Sequence, residues 1–473
     1  MTNLRRYWYW VAALAGVEVL SWTAFRLARN TDYEPNAMTV VIGLVIVAAL
    51  WLAIKKPHWL AWATLIELII GGKGYLLWGE VGGEKISIRL ALFVIIMLAA
   101  VVDSVRQKKF TFPRPILWPV GLLLGWVGVM SVVGVMRGYG VSGVFTDMNA
   151  YLYIAMMWPW WLFLRRSADW KNTLFIVLLS GVTIVGFKSW VIQLLFAQNI
   201  PQTTTLYHWI RQTGIGEITL ISKNVYRIFF QSQIYALIGF VLLMVGYIRQ
   251  RHQPWWGIAA LGSSLGVYLS LSRSLWLGLA VALGVFALVE VSRKNWPGLR
   301  RFFILIPLAV FVWMMTTWAL NFPYIVTPPG RQSNADAVVA RLKSAGSTQA
   351  STARANQIPP LVKAIGRNPI SGHGFGATLT YYSTDPRIRG ARTTSAFELG
   401  YLDMAFHIGL IGLGLFGWWL WLVWKKIRYQ PDAVLWIWPT IAIATVHLTS
   451  PYLNHPLGLG WLALISIVAF DHD

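Results

Sequence analysis

Apolar runs of about 17 residues or more recur along nearly the whole chain, broken by short polar linkers. A helix of that length crosses the hydrocarbon layer of a bilayer. The pattern predicts spans over roughly 7–28, 37–54, 58–72, 88–102, 116–136, 149–164, 172–195, 226–248, 255–271, 274–292, 302–320, 399–424, 432–449 and 457–470. Trp and Tyr cluster near many of the ends, as interfacial anchors do. The expected fold class is all-α: a polytopic integral membrane protein of about 12–14 transmembrane helices, with one large extracytoplasmic loop containing short helices. Residues 1–473 are expected to form a single membrane domain.

Composition agrees with the pattern. The 473 residues are 56% hydrophobic and 12% charged, with a mean hydropathy of +0.56. A soluble protein of this length carries about twice that charged fraction. The opening "MTNLRRYWYWVAALAGVEVLSW" has the basic head of a signal peptide, but Glu18 lies inside it and no small-residue cleavage site follows. It reads as the first span. The chain has no cysteine, which excludes disulfides, thiolate metal sites and a cysteine nucleophile.

The formal charge of +22 suggests nucleic acid only if membrane topology is ignored. With the N-terminus in the cytoplasm, the inside segments become "MTNLRR", "KKPH", "DSVRQKKFTFPRP", "RRSADWK", "RQRHQ", "SRKNWPGLRR" and "KKIRYQ". Cytoplasmic linkers normally collect the Lys and Arg excess, so no nucleic-acid partner is needed. Residues 321–397 form one long outside loop, beyond the reach of that rule. It holds Arg331, Arg341, Lys343, Arg354, Lys363, Arg367, Arg387, Arg389 and Arg392 against Asp336 and Asp385. Such a surface is either merely solvated or a basic cover over an anionic ligand. "NADAVVARLKSAGSTQ" and "ANQIPPLVKAIGRNPI" read as short helices lying on the membrane.

Charges inside spans are costly and face a cavity or a partner. Glu18, Glu67 and Lys188 have no supporting pattern and read as structural groups. Arg273, in "LSLSRSLWLGLA", occupies a tight outside turn, and its guanidinium offers a planar fork suited to phosphate. In "SKNVYRIFFQSQ", Asn224, Arg227 and Gln231 have the spacing i, i+3, i+7 and are expected to share a helical face at an outer mouth. In "ELGYLDMAFHIGLIG", Glu398 is expected to cap a stripe of Ala405, Gly409 and Gly412, with His407 on the far face and Asp403 pointing elsewhere. "GRNPISGHGFGATL" has turn chemistry, and its His373 is a candidate acid or base.

In order, these features are an outside Arg at the head of a mid-chain span, "SRSLWLG", a large outside loop containing Arg354, "NPISGHGFG", and a helix with "GLIG". The arrangement, over roughly residues 220–420, resembles the O-antigen ligase and polymerase superfamily, the WaaL and Wzy type of membrane glycosyltransferase. The resemblance implies a helical protein of the bacterial cytoplasmic (inner) membrane. Its expected partners are an undecaprenyl-diphosphate-linked oligosaccharide, a glycan or lipid acceptor, and membrane lipids. Glycan transfer to an acceptor hydroxyl is expected at the outer face, with inversion and without metal or other cofactor. Ligases place His-Asn where this chain has Glu398 and Leu399, while Tyr401 and Leu402 keep the usual pair. The missing His-Asn favours a polymerase-like enzyme. The family's phosphate-binding arginines carry over onto Arg227, Arg273 and Arg354. The expected catalytic set is Glu398, Arg273 and Arg227, with Arg354, Gln231, Asn224, Arg392 and His373 binding substrate. Glu398 acts either as the base or by orienting Arg273. A lipid-linked oligosaccharide flippase is the competing class.

Overall fold

The computed structural model describes residues 2–30, 37–81, 84–198, 200, 203–222, 225–249, 253, 255–321, 339–340, 349–384, 389–430 and 433–471. Most of this chain is helical. Among the described residues, eight helices are long and apolar enough to cross a membrane, and five apolar helices are shorter. The polytopic all-α expectation therefore holds. Two local differences matter. The span expected over 149–164 is a succession of short pieces, Val141–Leu152, Tyr153–Met156, Met157–Phe163 and Leu164–Arg166. Pro159 lies within it, and proline supplies no backbone N–H and restricts the residue before it. The span expected over 226–248 is shorter, because its first residues form a strand and the helix starts at Gln233.

The chain forms two compact units. The first comprises residues 1–109 and 162–341. Its axis is the helix Trp170–Ala197, about two-thirds of whose apolar window is buried. The helices Asn3–Asn30, Gln233–Ile248 and Trp256–Leu269 pack around it. Gly262 meets Thr183 so closely that an added Cβ would lie 2.7 Å from its Cα, so the crossing requires glycine. The buried charges are paired. Lys188 bonds Glu18, and Arg89 grips Glu67 with Nε at 2.8 Å and an Nη at 3.1 Å. Glu18, Glu67 and Lys188, read from the sequence as structural groups, are thus each in an ion pair within this unit. The hairpins β1–β2 (Trp78–Val81, Glu84–Ser87) and β3–β4 (Gly216–Ser222, Val225–Phe230) belong to this unit.

The second unit comprises residues 110–161 and 342–473. The helix Arg114–Met136 packs along Gly400–Ile427, and Pro456–Ala469 joins them. Part of the expected surface segment forms the helix Gln349–Arg367. It does more than lie on a surface, since Leu361 and Ala364 pack with Ala377, Phe397 and Phe406 in one buried cluster. The hairpin β5–β6 (Leu379–Ser383, Gly390–Thr394) follows. The segment "NADAVVARLKSAGSTQ" falls almost entirely outside the described residues.

Candidate functional site

Arg227 does not lie on a helix. "VYRIFF" is a β-branched and aromatic run, and it pairs antiparallel with "GEITLIS", Arg227 opposite Thr219. Alternation puts Arg227 and Phe229 on one face, and the guanidinium sits over the Phe229 ring, 4.7 Å from its centroid. The shared helical face expected for Asn224, Arg227 and Gln231 is therefore replaced by strand alternation. Gln231 follows the strand and its N–H bonds the Ile215 carbonyl at 3.1 Å. Asn224 lies outside the described residues.

The hairpin is tied to the Arg273 turn. Arg227 Nε donates to the Ser270 carbonyl at 3.3 Å, three positions before Arg273. The Ser270 hydroxyl accepts from the Ser272 N–H at 3.1 Å, and the Ser272 and Ser274 hydroxyls are 2.9 Å apart. Leu271, between Ser270 and Ser272, has φ +46°, a left-handed conformation that costs a non-glycine residue about 1–2 kcal/mol. Arg273 is the first residue of the helix Arg273–Ser292, and no side chain caps that end. A guanidinium at the positive end of a helix dipole is suited to hold an anion. Arg227 is thus joined to the turn before Arg273, and it reaches that turn from a strand where a helix was expected.

Glu398, in the second unit, also differs from its expected setting. It precedes the helix: Leu399 is the N-cap and Gly400 the first helical residue. Its side chain is 55% exposed, and Oε2 lies 2.7 Å from Arg354 Nε, a charge contact without hydrogen-bond alignment. Arg392 lies exposed on β6, paired with Tyr381 of β5.

The helix that follows is broken, so the stripe drawn by a continuous helical wheel does not exist. Gly409 has φ 62° and ψ −171°. The loop Asn368–Gly376 fills the break. Leu410 N–H bonds the Pro369 carbonyl at 2.9 Å and Ile411 N–H bonds Ile370 at 3.1 Å. In return, Phe406 and His407 carbonyls accept from His373 and Gly374 N–H at 2.7 and 3.0 Å. Trp126 Nε1 donates to the Ile408 carbonyl at 2.8 Å. Irregular backbone survives at membrane depth only when its polar groups are satisfied in this way. Gly372, at φ +79°, approaches so closely that a Cβ would sit 2.7 Å from both Gly409 N and His407 O. Gly409 thus receives a loop, whereas a neighbouring helix was expected.

His373 belongs to this loop. Its ring stacks on Phe406 with centroids 4.6 Å apart, and Nε2 lies 3.3 Å from Asn368 Nδ2. Burial pushes its pKa down, and the positive charges of Arg137 and Arg367 push the same way. Arg137 donates to the His373 carbonyl at 2.9 Å. Asp403 and His407, both expected off the Glu398 face, stand at i and i+4 on one helical face and are 3.7 Å apart at Oδ1 and Nε2. Asp147, Ser395 and Asn454 join them and were missed; nothing in their sequence spacing marks them.

Residues 258–417 match the family model described as O-antigen ligase. The match bears out the resemblance to the O-antigen ligase and polymerase superfamily, and it contains Arg273, Arg354, His373, Arg392 and Glu398. Neither the comparison with curated proteins nor that with solved structures returns a match.

Proposed function

We propose, on the premise that residues 258–417 are an O-antigen ligase-type region, that the protein is a membrane glycosyltransferase. It moves or polymerises glycan from an undecaprenyl-diphosphate-linked donor onto an acceptor hydroxyl at the outer face of the bacterial cytoplasmic membrane. The observation that carries this reading is the family match itself, over the stretch that holds Arg273, Arg354 and Glu398. The bond from Arg227 into the turn before Arg273 adds to it.

In this reaction the acceptor oxygen bonds the anomeric carbon while the carbon–oxygen bond to the diphosphate breaks. The electron pair leaves with the undecaprenyl diphosphate. Arg227 and Arg273 stabilise that charge, which is worth most from groups already oriented. The hydroxyl proton goes to the Glu398 carboxylate, whose exposure leaves it reachable by a polar acceptor and which lies beside the Arg354 charge. Direct displacement inverts the anomeric centre. Asn224, Gln231, Arg392 and His373 serve substrate binding. Polymerisation is preferred over ligation because Glu398 and Leu399 stand where ligases have His-Asn.

The test uses purified protein in detergent with an undecaprenyl-diphosphate-linked oligosaccharide. Lengthened or transferred glycan is expected. A flippase moves its cargo without changing it, so an unaltered glycan overturns the proposal. Glu398→Gln is expected to lower turnover about 10²–10⁴-fold. Wild-type turnover in that variant removes Glu398 as the base.

A further inference from the structure

The segment leading into Glu398 is held by buried polar groups that the transfer reaction does not use. Asp403 Oδ1 accepts from the Phe397 N–H at 3.2 Å, and its Oδ2 accepts from Asn454 Nδ2 at 2.5 Å. His407 Nε2 faces the Ser395 carbonyl at 3.0 Å, and Nδ1 faces the Gly374 carbonyl at 3.0 Å. The Ser395 hydroxyl donates to Asp147 Oδ1 at 3.1 Å, while Asp147 Oδ2 accepts from Gly376 N–H at 2.9 Å. Three side chains from two helices thus reach both residue 395 and residue 397, or the loop beside them. Asp403 and His407 are only 7% and 3% exposed.

Burying a carboxylate in a membrane protein is costly, and well-packed apolar residues commonly fill such space at no loss of stability. Ordinary packing therefore does not account for a carboxylate here. Its direction does: the anchored stretch, Ser395–Phe397, ends one residue before Glu398. We propose that Asp403, His407 and Asp147 are positioning residues, a clamp that fixes the Ser395–Phe397 backbone and thereby the direction of the Glu398 carboxylate. This rests on the reading of Glu398 as the proton acceptor. The break at Gly409 serves the clamp, because the loop it admits carries the Gly374 carbonyl that faces His407 and the amide held by Asp147.

Two measurements test the clamp, one of which needs no activity. The chain has no cysteine, so Glu398→Cys introduces a unique thiol for a spin label. The label is expected to be ordered, and to become mobile when Asp403→Asn or Ser395→Ala is added. A label at Tyr382→Cys, exposed on β5, serves as control and is expected not to change. Unchanged mobility at position 398 overturns the proposal. Ser395→Ala deletes only the bond to Asp147 and keeps the test available if Asp403→Asn fails to fold.

The second measurement is a double-mutant cycle on glycan transfer. Asp403→Asn is expected to lower kcat about 100-fold with KM for the lipid-linked donor within about twofold, since small misplacement of a reacting group has effects of that size. In the Glu398→Gln background the same substitution is expected to add less than about twofold, because residues acting through one group are not additive. Losses that multiply overturn the clamp. Wild-type turnover in Glu398→Gln alone instead overturns the base assignment, and the label mobility then still decides whether the clamp exists.

Discussion

Arg273 is held by its own helix start and by a turn of four residues, and Arg227 reaches that turn from a hairpin ending a few dozen residues earlier. The stretch leading into Glu398 is held by Asp147, Asp403 and His407, and the last two are themselves in contact with Asn454 and Gly374. The first feature is local, built on regular elements with one strained residue, Leu271. The second is assembled across the chain around a helix that stops and restarts. Local features tolerate change elsewhere in the sequence, whereas an assembled one fails when any contributor fails. The contrast can be tested by substitutions of decreasing severity.

The largest effects are expected at the arginines. Arg273→Ala and Arg227→Ala should each lower glycan transfer by about 10²–10³-fold or more, the scale seen on deleting one preorganised charge-stabilising group. Membrane insertion and thermal stability in detergent should stay near wild type, as befits a local feature. Near-normal transfer in either variant removes the diphosphate role.

Buried ion pairs come next. Lys188→Met leaves Glu18 buried and unpaired, which should destabilise the first unit by about 3–5 kcal/mol. Adding Glu18→Leu should recover most of that loss. A thermal-unfolding series in detergent reads both, and an unrepaired double variant contradicts a purely structural pair. In the second unit, Gly409→Ala forces a Cβ onto a residue at positive φ facing the loop backbone. It should cost about 1–3 kcal/mol in strain and raise the mobility of a label at position 398. The same substitution should leave the Arg227–Ser270 region unaffected if the two features are separately built.

The smallest effect concerns His373. The folded state lowers its pKa, so the unfolded chain binds more protons as pH falls below the unperturbed value of about 6.5. The contribution to stability is complete above that value and is lost as pH falls through the folded pKa. Melting temperature measured against pH should therefore fall less steeply on the acid side for His373→Gln than for wild type. Superimposable curves contradict a neutral, half-buried ring.

The spans were legible because the free energy of moving apolar surface out of water depends on residue type and run length alone. Arg227, Arg273 and Glu398 stood out as candidates for a related reason: a charge beside an apolar run is conspicuous wherever the chain goes. Their settings were less so. The aromatic and β-branched character of "VYRIFF" was present in the sequence, but membrane hydropathy assigned it to a helix. At "HIGLIG" the helical wheel assumed continuous hydrogen bonding through Gly409.

That assumption failed because glycine permits either continuation or a break, and the choice is made by whatever can satisfy the freed amides and carbonyls. Here the partners are Pro369, Ile370, His373, Gly374 and Trp126, and the last of these is 282 positions from the carbonyl it serves. Run length and residue type are properties of a segment, so the chain alone specified a polytopic helical protein with cationic and acidic candidates. The company kept by Asp147, Asp403, His407 and Asn454 is a property of packing. Hydrogen bonds act over about 3 Å regardless of sequence separation, so these groups became a unit only once the folded backbone had brought them together.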